Sequence, residues 1–105
     1  MFKNLGNIMQ QAKQMKENIA EAEVELNKTI VIGKSTSDMV KVTMNCKGEF
    51  HDITIDPVAL DDKDMLQDLI LIALKDARSQ ANEKTTEVMK KATGGIDLPP
   101  GILPF

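Results

Sequence analysis

The apolar residues of this chain change their period twice, and that change dictates the architecture. Leu5, Ala12, Ile19 and Leu26 stand seven apart, and Ile8, Met15 and Ala22 follow the first three of them by three residues. This is an a/d heptad pattern interleaved with Gln, Lys and Glu, which predicts one amphipathic helix over 4–27. At 1.5 Å per residue it is roughly 36 Å long, more than a small globule needs, so part of it is expected to project.

The period then drops to two. KTIVIG (28–33) is apolar and β-branched, and GKSTSD is turn-rich. In MVKVTMNCK, Val40, Val42, Met44 and Cys46 alternate with Lys41, Thr43, Asn45 and Lys47. Lys47, Gly48 and Glu49 suit a hairpin turn, and FHDITID follows with His51, Ile53 and Ile55 on one face and Phe50, Asp52, Thr54 and Asp56 on the other. Three short strands with tight connections predict an antiparallel meander with one buried face. Pro57 ends the ladder because it lacks an N–H.

A helical period returns from Asp62. Leu66, Ile70, Ala73, Ala77, Ala81, Val88 and Ala92 form its stripe, and Gly94–Gly95 ends it. The expectation is a single α+β domain over 1–105 in the order α-β-β-β-α. It comprises a helical arm (1–27), a β-meander (28–56), a second helical arm (57–93) and a Pro-rich tail (94–105). With three Phe and no Trp or Tyr, the core must come from Ile, Leu, Val, Met and Ala. A chain of 105 residues builds only a limited core, so self-association is a reasonable expectation.

Little here suits catalysis. Asp56, Asp61, Asp62, Asp64 and Asp68 crowd one stretch, but Asp61 or Asp62 stands where a helix N-cap belongs and Asp64 lies in the first turn. Carboxylates there accept orphan backbone N–H groups and suit the positive end of the helix dipole. The spacing is not that of a calcium loop. His51 is the only histidine and is expected to be a partly buried strand residue; Cys46 is the only cysteine and is expected in the core. No nucleophile motif, phosphate loop or zinc spacing is present. No enzyme activity, cofactor, metal or small-molecule substrate is therefore expected. MFKNLGNIMQQAKQ lacks the apolar run of a signal peptide, and the longest apolar run, LILIAL, is far too short to span a membrane. A cytoplasmic location without membrane association is expected, and a lone cysteine fits a reducing compartment.

The net charge is −3, unevenly spread. Residues 1–20 carry Lys3, Lys13 and Lys16 against Glu17, a net of +2, and residues 21–74 hold a net of −6. Residues 75–91 return to +2. On the second helix Lys75, Arg78, Asn82, Thr86 and Lys90 form one acid-free stripe beside a second one of Asp76, Gln80, Glu83 and Glu87. Lys13 and Lys16, flanked by Gln10 and Gln14, are a smaller basic group on the first helix. Such side chains donate to phosphate oxygens, but the same pattern also serves an ordinary solvated helix face.

The segments MFKNLGNIMQQAKQMKE, MVKVTMNCKG, ITIDPVALDDKDMLQDLILIALKDA and LPPGILPF together resemble the YbaB/EbfC family of bacterial nucleoid-associated proteins. The resemblance covers nearly the whole chain. It implies a tweezer-like homodimer with a shared β-layer and protruding helical arms. It also implies binding of double-stranded DNA with limited sequence preference, at the nucleoid, for organisation, protection or gene regulation. Charge and helical phase then point to Lys13, Lys16, Lys75, Arg78, Asn82 and Lys90 as the DNA-binding residues. The departure is an acidic sequence pI of about 5.1, where many DNA-binding domains lie above 9. The alternative is a protein-interaction module. It would use the Met-rich heptad helix, which suits a partner helix, and the LPPGILPF tail.

Overall fold

The computed structural model describes residues 2–95. Helix α1 (Phe2–Lys28) leads into strand β1 (Ile30–Lys34), a 3₁₀ turn (Thr36–Asp38) and strand β2 (Val40–Asn45). Strand β3 (Phe50–Ile55), a second 3₁₀ turn (Pro57–Asp61) and helix α2 (Lys63–Ala92) complete the order. The sheet is an antiparallel meander in the order β1-β2-β3. The α+β class and the α-β-β-β-α order are those expected from the periods. The LPPGILPF tail lies outside the described residues.

The molecule is long. Its radius of gyration is 19.1 Å, against about 13 Å for a compact chain of this length. The extents are 71 × 21 × 18 Å. Two separate cores explain the shape. In the first, Val40, Val42 and Met44 on the inner face of β2 pack against Leu69, Ala73, Ala77 and Ala81 of α2, with Ala59 at the edge. In the second, Ala22 and Leu26 near the end of α1 pack against Val88 and Met89 near the end of α2. The first half of α2 is thus a lid on the sheet. Only its last turns run beside α1, and α1 continues alone beyond them.

Small side chains set the closest approach. The alanine stripe of α2 lets the helix sit down on β1 at Gly33, whose hydrogen faces the backbone of Ala73 and Ala77. On its far side β1 is an open edge, and α2 closes it: Lys34 N–H donates to Asp76 Oδ2 (2.8 Å), and Gln80 Nε2 donates to the Ile32 carbonyl (2.8 Å). Pairing of these groups blocks strand addition at that edge.

Two sequence expectations, for His51 and Asn45, need correction at the β2–β3 hairpin. The pairing slips between Thr43 and Met44, where Met44 partners Phe50 and Thr43 partners Asp52. His51 is the extra residue of this bulge, and like every residue of β3 but Ile55 it is exposed, where a partly buried position was expected. Phe50 takes the place beside Met44 instead. Asn45, expected on the polar face, is 1% exposed. Its Nδ2 donates to the Asn27 carbonyl (3.1 Å) and Glu49 Oε1 (2.8 Å), and its Oδ1 accepts from the N–H groups of Lys47 and Glu49. One amide therefore shapes the turn and ties it to the end of α1. Cys46 lies in the turn, half-buried between the two cores. Burial pushes its thiol up, partly offset by the Lys84 ammonium, which leaves it a poor nucleophile at neutral pH.

The aspartate run is a strand-to-helix handover. Asp56 Oδ1 accepts from Val58 N–H (3.0 Å) and caps the 3₁₀ turn; Asp62 Oδ1 accepts from Met65 N–H (3.1 Å) and caps α2. Asp62→Ala is expected to lower the unfolding free energy by about 1 kcal/mol in urea titration, with Asp61→Ala, which holds no cap, near neutral. Equal losses from both would remove the capping assignment.

Candidate nucleic-acid interface

The projecting end of the molecule is built by two helix ends of different kinds. Helix α1 supplies a rod without α2 beside it from about Asn18 back towards its N-terminus. Lys13 and Lys16 stand exposed on it. Helix α2 ends there in a Schellman closure: Gly95 N–H donates to the Lys90 carbonyl (2.7 Å) and Gly94 N–H to the Lys91 carbonyl (3.3 Å). Gly94 and Gly95 both take positive φ (66° and 87°), and the closure requires it of Gly94. The negative end of the helix dipole falls here, and Lys90 and Lys91 in the last turn oppose it.

These cations differ in freedom. Lys91 Nζ lies 4.0 Å from Glu87 Oε1, and Lys84 Nζ lies 3.8 Å from the same oxygen. Among the described residues, Lys13, Lys16 and Lys90 have no ion pair, so their ammonium groups are available to an outside anion. Spacing along the α2 stripe passed over Lys91; its adjacency to Lys90 was the only signal for it.

Lys75, Arg78 and Asn82 occupy a different place. They are exposed but line an open groove with Phe50, Leu71, Leu74, Ser79, Glu83 and Thr86. Lys75 stands fifteen residues before Lys90, about 22 Å along the helix. The six expected DNA-binding residues thus fall into two groups: Lys13, Lys16 and Lys90 towards the projecting end, and Lys75, Arg78 and Asn82 beside the sheet.

A further feature shares the rod with Lys13 and Lys16. Leu5, Ile8 and Met9 are 61%, 62% and 68% exposed. They continue the α1 stripe that packs on α2 at Ile19, Ala22 and Leu26, past the point where α2 stops.

Among the described residues no helix is long and apolar enough to cross a membrane. A two-core α-β-β-β-α chain with a basic, unpaired rod defines a class of extended helical-arm proteins. Residues 1–96 match the model of the YbaB/EbfC DNA-binding family, and the chain belongs to that family. It is similar to the nucleoid-associated protein amb4104 of Paramagnetospirillum magneticum, with 45% identity over 107 aligned positions, 99% of this chain and 100% of the relative. The fold is similar to the crystal structure of the uncharacterized protein HP0035 from Helicobacter pylori. That match has a TM-score of 0.70 and 30% identity, covering 87% of this chain and 95% of the other.

Proposed function

We propose that this protein is a nucleoid-associated homodimer that holds double-stranded DNA between its helical arms with little sequence preference. The observation that carries this reading is the exposed α1 rod with unpaired Lys13 and Lys16, joined at its base by Lys90, in a member of a DNA-binding family. The similarity to a nucleoid-associated protein supports the cellular setting. Lysine ammonium groups are point charges that meet phosphates without reading bases. The acidic half of the chain, from Glu21 to Asp68, repels the duplex from the sheet and leaves the arms as the contact. A dimer doubles three weak contacts to six and sets two rods around one duplex.

The test is a salt titration of DNA affinity with the Lys13→Gln/Lys16→Gln variant. Two lysines in each of two chains are removed, so the slope of log K against log salt should fall by roughly four. An unchanged slope would remove α1 from the DNA contact.

The exposed Leu5, Ile8 and Met9 favour a second reading, an arm that receives a partner helix. Leu5→Gln/Met9→Gln separates the two. Loss of a bound protein with DNA affinity intact favours the partner; loss of DNA affinity with no bound protein found favours the clamp.

A further inference from the structure

Helix α1 keeps its heptad seam past the point where α2 stops. Leu5, Ile8, Ala12 and Met15 continue the a/d positions of Ile19 and Ala22, and Met9 flanks them. Ile19 and Ala22 belong to the core shared with α2, whereas Leu5, Ile8, Met9 and Ala12 are exposed. No contact among the described residues covers that half of the seam, and the rod needs one. From Leu5 to Glu17 it runs for thirteen residues, and an isolated helix of that length is marginal in water.

The chain itself leaves α2 beside this seam. Ala92 shares a cleft with Asn18 and Ala22 of α1, and the closure at Gly94–Gly95 follows within one turn. Residues 96–105, IDLPPGILPF, lie outside the described residues, and their sequence matches what the seam needs. Pro99, Pro100 and Pro104 favour a polyproline run, which repeats every three residues. Ile96, Pro99, Ile102 and Phe105 stand three apart, so such a run carries one continuous apolar edge. It needs no hydrogen-bond ladder, and its preset backbone loses little entropy on docking. Ten residues of this kind cover about 31 Å. Leu5 lies thirteen residues from Asn18, about 20 Å along α1 and within that reach. The groove beside Leu71 lies twenty-four residues before Gly95, about 36 Å back along α2 and outside it.

Charge selects the occupant. From Leu5 to Lys16 the rod carries Lys13 and Lys16 and no acid. A second rod laid on the seam brings only further lysines. Residues 96–105 bring a single charge, Asp97, two residues after Gly95 and so close to the basic end of the molecule at Lys16, Lys90 and Lys91. We propose that residues 96–105 dock along the exposed seam of their own α1 and brace the rod. Ile96, Pro99, Ile102 and Phe105 cover the seam from Met15 towards Leu5. The ammonium groups of Lys13 and Lys16 stay at the rim, Lys16 on its long stem. The bracing does not depend on what the arm binds, so its test contains no DNA.

Paramagnetic broadening and hydrogen exchange test it on the full chain. In a Cys46→Ala background, a nitroxide on Gln10→Cys, exposed and off the seam, should broaden the amide signals of Leu98, Ile102 and Leu103. With the nitroxide on one chain and the isotope on another, that broadening should be lost. Broadening that persists there puts the tail on a second copy and overturns docking on its own rod. Amide exchange over 8–15 should speed up by roughly tenfold or more on deletion of 96–105 and in Ile102→Asp/Phe105→Asp, which keeps the chain length. Leu26, Ala73 and Ala77 in the two cores should keep their protection. Tail signals that the nitroxide leaves sharp, or unchanged exchange over 8–15 in both variants, overturn the proposal. Protection of 8–15 that then rises with protein concentration gives the seam to a second rod.

Discussion

Gly33→Ala is expected to destabilise the protein by about 3 kcal/mol or more, the upper range for overpacking a tight site. A Cβ at Gly33 would lie 2.5 Å from the Ala77 nitrogen and 2.6 Å from the Ala77 Cβ, and would also strike the Ala73 carbonyl oxygen. Two of these three atoms are backbone in the middle of a long helix, so no rotamer change relieves the contact. Either α2 lifts off β1 or β1 shifts. Lifting α2 also breaks the bonds from Asp76 and Gln80 to the β1 edge. Natural domains hold roughly 5–15 kcal/mol in all, so the melting temperature should fall by roughly 12 °C or more. Gly6→Ala is the control: it lies in α1 with nothing within 4 Å, and alanine favours helix there. Its stability should be unchanged or slightly raised. A Gly33→Ala protein that melts with the wild type would show that the close helix–sheet contact does not hold the fold.

Much of this fold was legible because burial and period coincide. Val40, Val42 and Met44 alternate in sequence and are buried in the structure; Ala73, Ala77 and Ala81 repeat at four and sit on the sheet. The cap at Asp62 and the stop at Gly94–Gly95 follow from local chemistry, which neighbouring elements scarcely alter. The bulge at His51 was not legible, because a one-residue slip depends on the strand opposite and leaves the alternation of β3 unchanged. Asn45 followed the polar phase of β2, yet it ends inside because the turn and Asn27 in the last turn of α1 close over it. Asp76 and Gln80 read as a plain acidic stripe; only the position of the β1 edge gives them partners. The same limit applies to Lys75 and Arg78. Helical phase groups them with Lys90, but it does not say that Phe50 and Leu71 stand beside the first two and not beside the third.

The collapse of DNA binding with salt is the second large effect. Lys13, Lys16 and Lys90 supply six phosphate contacts per dimer on the proposed arms. Each contact releases condensed counterions, and added salt makes that release less favourable. Six contacts give a slope near −5, so a fourfold rise in salt should cost about 10³ in affinity. On that proposal the acidic remainder of the chain, net −6 over residues 21–74, adds no contacts and confines binding to the arms. On the proposed clamp bases are not read, so two duplexes of unrelated sequence should behave alike.

The direct measurement is fluorescence anisotropy of the purified protein with two such duplexes at 50 and 200 mM salt. The expected result is comparable binding to both at 50 mM, lost by roughly a thousandfold at 200 mM. No binding to either duplex at 50 mM, or binding that salt leaves unchanged, would contradict the clamp.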